Sequence, residues 1–218
     1  NIVTAHDAGE QNGTHYLIMQ YVDGCDMTTL IRTAGTLPVE RAIDFTLQAA
    51  RGLAHAHAQG VTHRDIKPSN ILINKRGQVK ILDLGLARVE LSTAQQVEQR
   101  EGLTTTGAVM GTVDYMAPEQ AVNTRTADHR ADIYSLGCTL HFLLTANPPY
   151  SGETMMERLL AHREQPVPSL QSRRDDVPDE LEATFQKMLA KTPDERFASM
   201  TDVVVALESL LTDTSTAA

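Results

Sequence analysis

One segment in the second half of the chain constrains the fold more than any other. From Ala131 to Leu144 apolar residues occur nearly all round the helical wheel. A helix that is apolar on every side has no face left for water and must be buried. We therefore expect this helix at the centre of the core, surrounded by other helices.

Several amphipathic helices are predicted around it. From Pro38 to Gln59 apolar residues recur at helical spacing, with Pro38 suited to the first turn and Gly60 to the end. Helical patterns also cover Met155 to Glu164, Asp179 to Leu189 and Ser199 to Leu211. These segments predict a helical domain in the larger, C-terminal part of the chain.

Two short hairpins precede or interrupt the helices. Ile2 to Ala8 and Tyr16 to Val22 are β-like runs on either side of the turn-forming stretch Gly9 to Gly13. A second pair is predicted at Ile71 to Ile73 and Val79 to Leu82, with a turn at Lys75 to Gly77. Strands and helices together predict an α+β protein.

Composition narrows the class of protein. With 218 residues and 41% hydrophobic content, the chain can bury the core of one domain. No apolar run reaches the roughly 18 residues of a membrane span, and the N-terminus lacks a signal-peptide pattern. Acidic residues outnumber basic ones, 28 against 19, which argues against a general nucleic-acid binder. Cys25 and Cys138 lie far apart without metal-ligand spacing, so we expect free thiols and a cytoplasmic chain.

Three polar motifs carry the chemistry. Residues His63 to Asn70 read HRDIKPSN, Asp83 to Gly85 read DLG, and Gly111 to Glu119 read GTVDYMAPE. The order and spacing match the H-R-D-x-x-x-x-N, D-F-G and A-P-E motifs of the protein kinases. The chain thus resembles that family over nearly its whole length. Within the family it most resembles the eukaryotic-type (Hanks-type) serine/threonine kinases of bacteria.

The resemblance implies roles for five side chains. Phosphoryl transfer requires in-line positioning and cations against the developing charge. By resemblance, Asp65 accepts or orients the substrate hydroxyl proton, and Lys67 lies beside the transferring phosphate. Asn70 and Asp83 are expected to bind Mg²⁺ on the phosphates of ATP. Thr112, bridging Asp65 and Lys67, goes with the serine/threonine branch.

The adenine end of the ATP site is predicted on the strand before Gly24. Resemblance to the fifth strand and hinge of the family makes Met19 the gatekeeper. Backbone groups of Gln20 and Val22 are expected to meet the adenine edge. Asp26 is placed to reach the ribose, and Leu72 to lie under the ring. The alternative is that Met19 and Leu72 are core residues.

Regulation is predicted in the long aperiodic stretch between Glu90 and Gly111. Thr104 and Thr106 match positions that are phosphorylated in bacterial relatives. Arg64 could pair with such a phosphate and order the segment. The alternative is that these threonines are only polar loop residues.

Three further residues are expected to be structural. Glu119 and Arg196 resemble the buried ion pair of the family, and Asp132 begins its D-x-x-x-x-G motif. Removing one partner of a buried ion pair costs about 3 to 5 kcal/mol. We expect these residues to hold the helical part together.

The resemblance implies a protein-kinase-like α+β fold, mainly the helical C-lobe with remnant strands of the N-lobe and the hinge. We divide the chain into an N-lobe remnant (1–24), a C-lobe (25–211) and a polar tail or linker (212–218). The expected reaction transfers the γ-phosphate of ATP to serine or threonine hydroxyls of protein substrates, with Mg²⁺ as cofactor.

The sequence departs from the family in two ways. No G-x-G-x-x-G occurs, and the strand lysine and helix glutamate of a complete kinase are absent. Gly102 and Gly107 have P-loop spacing, but Ala108 stands where lysine is required. We expect the missing parts to precede Asn1, and a membrane anchor could follow Ala218. Leu84 replaces the usual Phe and keeps an apolar side chain.

Two other functions stay open. The chain could be an inactive kinase-like remnant that serves as a protein-binding module, because the substrate-docking helical lobe is intact in sequence. A metal-dependent hydrolase built from the eight histidines is a more distant possibility. The DNA upstream of Asn1 distinguishes the remnant from the enzyme: a reading frame that encodes the glycine loop and the lysine supports the enzyme, and a start codon near Asn1 supports the remnant. Tightly bound zinc would support the hydrolase.

Overall fold

A central helix with helices packed against it forms most of the molecule. The computed structural model describes residues 1–82, 112–123 and 127–214. Its elements are β1 (Ala5–Gln11), β2 (Thr14–Met19), β3 (Gly24–Asp26), α1 (Met27–Ala34), α2 (Val39–Ala58), β4 (Ile71–Asn74), β5 (Val79–Ile81), α3 (Pro118–Asn123), α4 (Arg130–Thr145), α5 (Met155–Glu164), α6 (Asp179–Met188) and α7 (Met200–Thr214).

Helix α4 is the centre of the core, as its apolar pattern predicts. Thirteen of its residues are buried. Helix α2 packs against α4 and α7, and α4 packs in turn against α6. The described residues contain no helix that is both long and apolar enough to cross a membrane.

The first hairpin is shifted from its predicted position. Strands β1 and β2 pair antiparallel, with Gly9 opposite Tyr16, around a tight turn at Asn12 and Gly13. Both turn residues have positive φ, 53° and 77°. A two-residue hairpin turn needs these angles if its twist is to match the right-handed twist of the flanking strands. All six residues of β2 are exposed.

The chain start does not belong to that hairpin, so the predicted strand from Ile2 to Ala8 is wrong at its beginning. Ile2 instead forms a parallel bridge with Ile81 of β5. The Val3 N–H donates to the Ile81 carbonyl at 2.9 Å, and the Ile81 N–H donates to the Asn1 carbonyl at 2.8 Å. The first three residues are thereby fixed to strand β5 of the second sheet.

The second hairpin belongs to a three-stranded sheet in the order β3, β4, β5. Strands β4 and β5 were both predicted from the sequence, and each predicted end lies within one residue of the observed end. Strand β3 was not predicted from the sequence. Gly24 permits the pairing, because a Cβ there would lie 1.9 Å from the Ile73 carbonyl oxygen.

The predicted helices are confirmed with small shifts at their ends. Helix α5 has the predicted bounds, and α6 ends one residue early. Helix α7 continues to Thr214, beyond the predicted end at Leu211 and into the segment assigned to a polar tail. The division of the chain at residues 24 and 211 stays a prediction.

Gly137 sets how closely α4 approaches the end of α6. A Cβ on Gly137 would lie 2.3 Å from Leu189 Cδ1 and 3.0 Å from Met188 Cβ. We expect Gly137→Ala to lower the free energy of unfolding by about 1 to 3 kcal/mol through overpacking, measured by chemical denaturation. Leu189→Ala removes the clashing methyl group, so the double variant should lose less than the sum of the single losses. Strict additivity would contradict the clash.

Candidate active site

The segment HRDIKPSN forms a loop between α2 and β4, and one carboxylate holds its start. Asp132, fully buried near the N-terminus of α4, accepts hydrogen bonds from two backbone N–H groups of the loop. The His63 N–H donates to Oδ2 at 2.9 Å and the Arg64 N–H to Oδ1 at 2.7 Å. His57 of α2 places Nε2 2.7 Å from the same Oδ2. The central helix thus fixes the loop directly.

The Arg64 backbone is held in a left-handed conformation, with φ of 67°. This region is unfavourable for a residue with a long side chain, so the surrounding contacts must maintain it. Besides Asp132, Gln120 of α3 supports it by donating from Nε2 to the Arg64 carbonyl at 2.9 Å. Gln120 Oε1 also accepts from the Ala117 N–H at 3.0 Å. Gln120 therefore ties the loop to the Ala-Pro-Glu segment.

His63 packs beneath the loop with 1% of its surface exposed. Its Nδ1 accepts a hydrogen bond from the Asp65 N–H at 3.2 Å, so Nε2 carries the proton and donates to the Leu82 carbonyl at 2.7 Å. The Leu82 N–H donates to the Asn70 carbonyl at 2.9 Å. These bonds join both ends of the loop to the residue that precedes Asp83 in sequence.

Four of the side chains that the sequence singled out lie together above this support. Asp65 Oδ2 accepts from Lys67 Nζ at 2.8 Å and from Asn70 Nδ2 at 3.0 Å. Asn70 Nδ2 also donates to the Asp65 carbonyl at 2.9 Å. Lys67 Nζ donates to Thr112 Oγ1 at 2.7 Å. A carboxylate, an ammonium group, an amide and a hydroxyl therefore meet in one cluster.

The cluster is accessible and partly charged. The Asp65 side chain is 40% exposed, whereas that of Lys67 is 18% exposed. An exposed carboxylate held by two donors can receive a hydrogen bond from a hydroxyl without reorganising. Because both Asn70 bonds use the amide nitrogen, the amide oxygen is the atom that Asn70 can offer to a cation. This donor set fits a hard cation such as Mg²⁺.

Residues predicted to bind the adenosine lie along the sheet and the strand before it. Asp26 and Leu72 are directly opposed in the β3–β4 ladder and share one face. The Gln20 N–H donates to the Thr4 carbonyl at 2.8 Å. Met19 is 38% exposed on β2, and Val22 follows in the segment between β2 and β3.

Asp26 also caps helix α1. Its Oδ1 accepts from the Thr29 N–H at 2.9 Å and its Oδ2 from Thr29 Oγ1 at 2.8 Å. Burial alone would raise the pKa of Asp26, but the hydrogen bonds from Thr29, together with those from the backbone N–H groups of Asp26 and Thr28, outweigh burial and lower the pKa. The carboxylate is therefore ionised and fixed at the edge of the sheet.

Glu119 and Arg196 form a bidentate ion pair. Arg196 Nη1 lies 2.7 Å from Glu119 Oε1, and Nη2 lies 2.8 Å from Oε2. The Arg196 side chain is fully buried and also donates to the carbonyls of Ala190, Arg130 and Lys191. One guanidinium thus joins α3, α4 and the segment after α6.

A buried polar network lies next to this ion pair. The Tyr134 hydroxyl is 2.8 Å from His162 Nδ1, and Lys191 Nζ donates to the Tyr150 hydroxyl and the His162 carbonyl, both at 2.7 Å. Burial, and secondly the charge of Lys191, lower the pKa of His162 to about 4. Burial also lowers the pKa of Lys191 to about 8. The folded protein therefore keeps His162 uncharged.

This network predicts a loss of stability in acid. Below pH 6.5 the unfolded chain protonates His162 while the folded protein does not, so stability falls as the pH drops and the loss is complete near pH 4. We expect His162 to contribute about 3 kcal/mol to the difference in unfolding free energy between pH 7 and pH 4. His162→Gln should reduce that difference in denaturant titrations, and His55→Gln, on the exposed side of α2, should leave it unchanged.

Several predicted residues lie outside the described part of the chain: Asp83, Thr104 and Thr106. Their roles stay predictions. In the described ranges, no three His, Cys, Asp or Glu side chains form a group that could hold a metal ion.

Sequence reasoning did not identify two residues that support the loop. His57 of α2 contacts Asp132 of α4. Gln120 of α3 donates a hydrogen bond to the Arg64 carbonyl. Both contacts join residues more than 50 positions apart, so no local pattern in the sequence indicates them.

Comparison with known proteins shows which family the chain is similar to. The sequence model of the family described as protein kinase domain matches residues 1–206 of this chain. Serine/threonine-protein kinase PknB of Mycolicibacterium smegmatis is 40% identical over 207 residues, which are 93% of this chain and 32% of that protein. Serine/threonine-protein kinase PknD of Mycobacterium tuberculosis is 39% identical over 213 residues, 97% of this chain and 31% of that protein.

The chain thus spans about a third of the length of these relatives. The crystal structure of Rad53 1-466 in complex with AMP-PNP matches 93% of this chain and 49% of its own chain, with a TM-score of 0.73 and 24% identity. That likeness shows the protein-kinase-like fold. By its sequence match over residues 1–206, the chain belongs to the protein kinase family.

Proposed function

We propose that this protein is a kinase that transfers the γ-phosphate of ATP to serine or threonine hydroxyls of other proteins. The observation that carries the proposal is the cluster of Asp65, Lys67, Asn70 and Thr112. The relatives named serine/threonine-protein kinases support the same activity. The corresponding biological role is signalling in the cytoplasm.

Each side chain of the cluster has a proposed role. Asp65 accepts a hydrogen bond from the substrate hydroxyl and aligns its oxygen with the γ-phosphorus. Lys67, held by Asp65 and Thr112 within 2.8 Å, places its positive charge beside the transferring phosphate. Fixing the ammonium before substrate arrives avoids reorganisation during the reaction.

Magnesium and nucleotide are proposed to lie between the loop and the sheet. The Asn70 amide oxygen and Asp83 would hold Mg²⁺, which supplies positive charge to the phosphates when bound. We assign the Gln20 carbonyl and the Val22 backbone to the adenine edge. The ring would rest on Leu72, with Met19 as gatekeeper, and Asp26 would reach the ribose from the same face of the sheet.

Phosphorylation of Thr104 or Thr106 is the proposed regulation. Arg64 Nε is buried, and within the described residues it has no hydrogen-bond partner. A guanidinium with an unused donor can bind a phosphate through a charge-assisted hydrogen bond. The backbone of Arg64 itself has the unfavourable left-handed conformation. A phosphate that pairs with the Arg64 side chain would therefore act directly on the loop of residues 63–70.

A phosphotransfer assay tests the proposed activity. Purified protein, extended upstream of Asn1 if the gene encodes the glycine loop and lysine, is incubated with radiolabelled ATP, Mg²⁺ and a mixed protein substrate. Phosphoamino-acid analysis should find label on serine or threonine, and omission of Mg²⁺ should abolish it. Labelled tyrosine alone, or no label in a form that contains both upstream elements, would contradict the proposal.

A protein-binding module formed by the helical lobe is the second candidate, because the helices of that lobe are present among the described residues. A thermal-shift titration of the 218-residue chain with Mg-ATP addresses it. No shift, together with a start codon close to Asn1, would favour the module over the enzyme. A saturable shift that depends on Mg²⁺ would favour the enzyme.

A further inference from the structure

A polar cavity lies at the C-terminal end of α4, away from the catalytic loop. Its volume is about 470 Å³, which falls within the usual range of small-molecule sites. His141 and Thr145 from the helix line it, with the loop of residues 147–151 and the loop of residues 168–174. His141 is nine residues from Asp132, a distance of roughly 14 Å along the helix axis.

The walls of this cavity are fixed by hydrogen bonds. Arg174 donates from Nη1 to the carbonyls of Leu37 and Leu144, and from Nε to Asp176 Oδ1 at 2.8 Å. His141 is 4% exposed, and its Nδ1 is 2.9 Å from the Asn147 carbonyl. A site with such bonds does not need to be assembled when a ligand arrives, which favours binding.

Charge in the cavity is unbalanced. Arg174 forms an ion pair with Asp176. Arg173 also lines the cavity, and its side chain has no ion pair among the described residues. Burial, and in addition the charge of Arg173, lower the pKa of His141, although the Asn147 carbonyl and Glu182 act in the opposite direction. An anion is therefore the ligand that the charges favour.

The remaining wall is apolar. Leu144, Pro148, Pro149 and Pro168 line the cavity beside the polar groups. Inorganic anions cannot use such a surface, whereas a compound with a short hydrocarbon or aromatic part gains by burying it there. We propose that this cavity binds a small organic anion, with a carboxylate or phosphate on Arg173 and an apolar body between the prolines and Leu144.

Binding of simple probes tests the proposal on the 218-residue chain. Phenyl phosphate, inorganic phosphate and benzyl alcohol are titrated, and the ring signals of His141 are followed by NMR. Phenyl phosphate should shift these signals saturably and bind about tenfold tighter than either other probe. Excess AMP-PNP should not displace it. Displacement by AMP-PNP would place the probe in the nucleotide site and overturn the proposal.

Two arginine variants complete the test. Arg173→Gln should weaken phenyl phosphate about tenfold or more, because a charge-assisted hydrogen bond is lost. Arg163→Gln, which removes an exposed charge on α5, should change the affinity less than about twofold. Equal losses in the two variants, equal binding of inorganic phosphate, or no binding of phenyl phosphate would each overturn the proposal. Unchanged thermal midpoints will show that both variants fold.

Discussion

Asp65→Asn should lower kcat for phosphorylation of a protein substrate by roughly 10² to 10⁴, the usual contribution of a positioned acid–base group. The amide keeps an oxygen for the hydrogen bonds from Lys67 and Asn70 but cannot accept the substrate proton as a carboxylate does. KM for ATP should change little, since Asp65 is not among the residues assigned to the nucleotide. Steady-state kinetics in a form of the protein that phosphorylates serine or threonine measures both constants.

Asp7→Asn is the matched control for this variant. Asp7 is exposed on β1, and its Oδ1 accepts from the Ala8 N–H, which an amide oxygen can also do. This control should keep kcat within about twofold, and both variants should unfold at the temperature of the parent protein. Turnover of Asp65→Asn close to that of the parent would remove Asp65 from the mechanism.

Asp132→Asn should lower the free energy of unfolding by about 3 to 5 kcal/mol. The buried carboxylate accepts from the N–H groups of His63 and Arg64 and contacts His57 Nε2. An amide offers one oxygen where two are needed, and its own N–H₂ group would face another donor. Denaturant titration measures the loss. The catalytic loop should also become more accessible to hydrogen exchange around Arg64.

Asp175→Asn provides the comparison. Asp175 is exposed in the loop after residue 174, and its substitution should change the unfolding free energy by less than about 0.5 kcal/mol. A loss below about 1 kcal/mol for Asp132→Asn would mean that the loop finds other acceptors. In that case the central helix would not be what positions the loop.

The sequence predicts the longer helices of this fold and strands β4 and β5 well, but it predicts neither strand β3 nor the pairing of the first residues. Helix α5 was placed at its observed bounds and α4 within one residue at each end, because their apolar residues repeat or cover the whole surface. Strand β3 has three residues, too few for a period, and exists because Asp26 pairs with Leu72 far along the chain. The pairing of Ile2 with Ile81 is equally non-local.

In the candidate site, too, contiguous motifs could be predicted from the sequence, whereas contacts between distant residues could not. The residues proposed to contact the substrate lie in one contiguous motif, and its resemblance to the H-R-D-x-x-x-x-N motif of the family names Asp65, Lys67 and Asn70. Thr112 lies 45 residues from Lys67, and only the family resemblance indicated that they meet. The supports His57 and Gln120 depend on how helices pack, which spacing does not encode.

The exposed hairpin has a practical consequence for work with this chain. Strand β2 presents Tyr16, Leu17, Ile18 and Met19 to solvent, and in the described residues its sheet has only two strands. Unpaired outer strands rich in aromatic and branched side chains recruit strands from other molecules. Concentrated samples should therefore associate through this hairpin, and a lysine on its outer face would be the simplest way to keep the protein in solution.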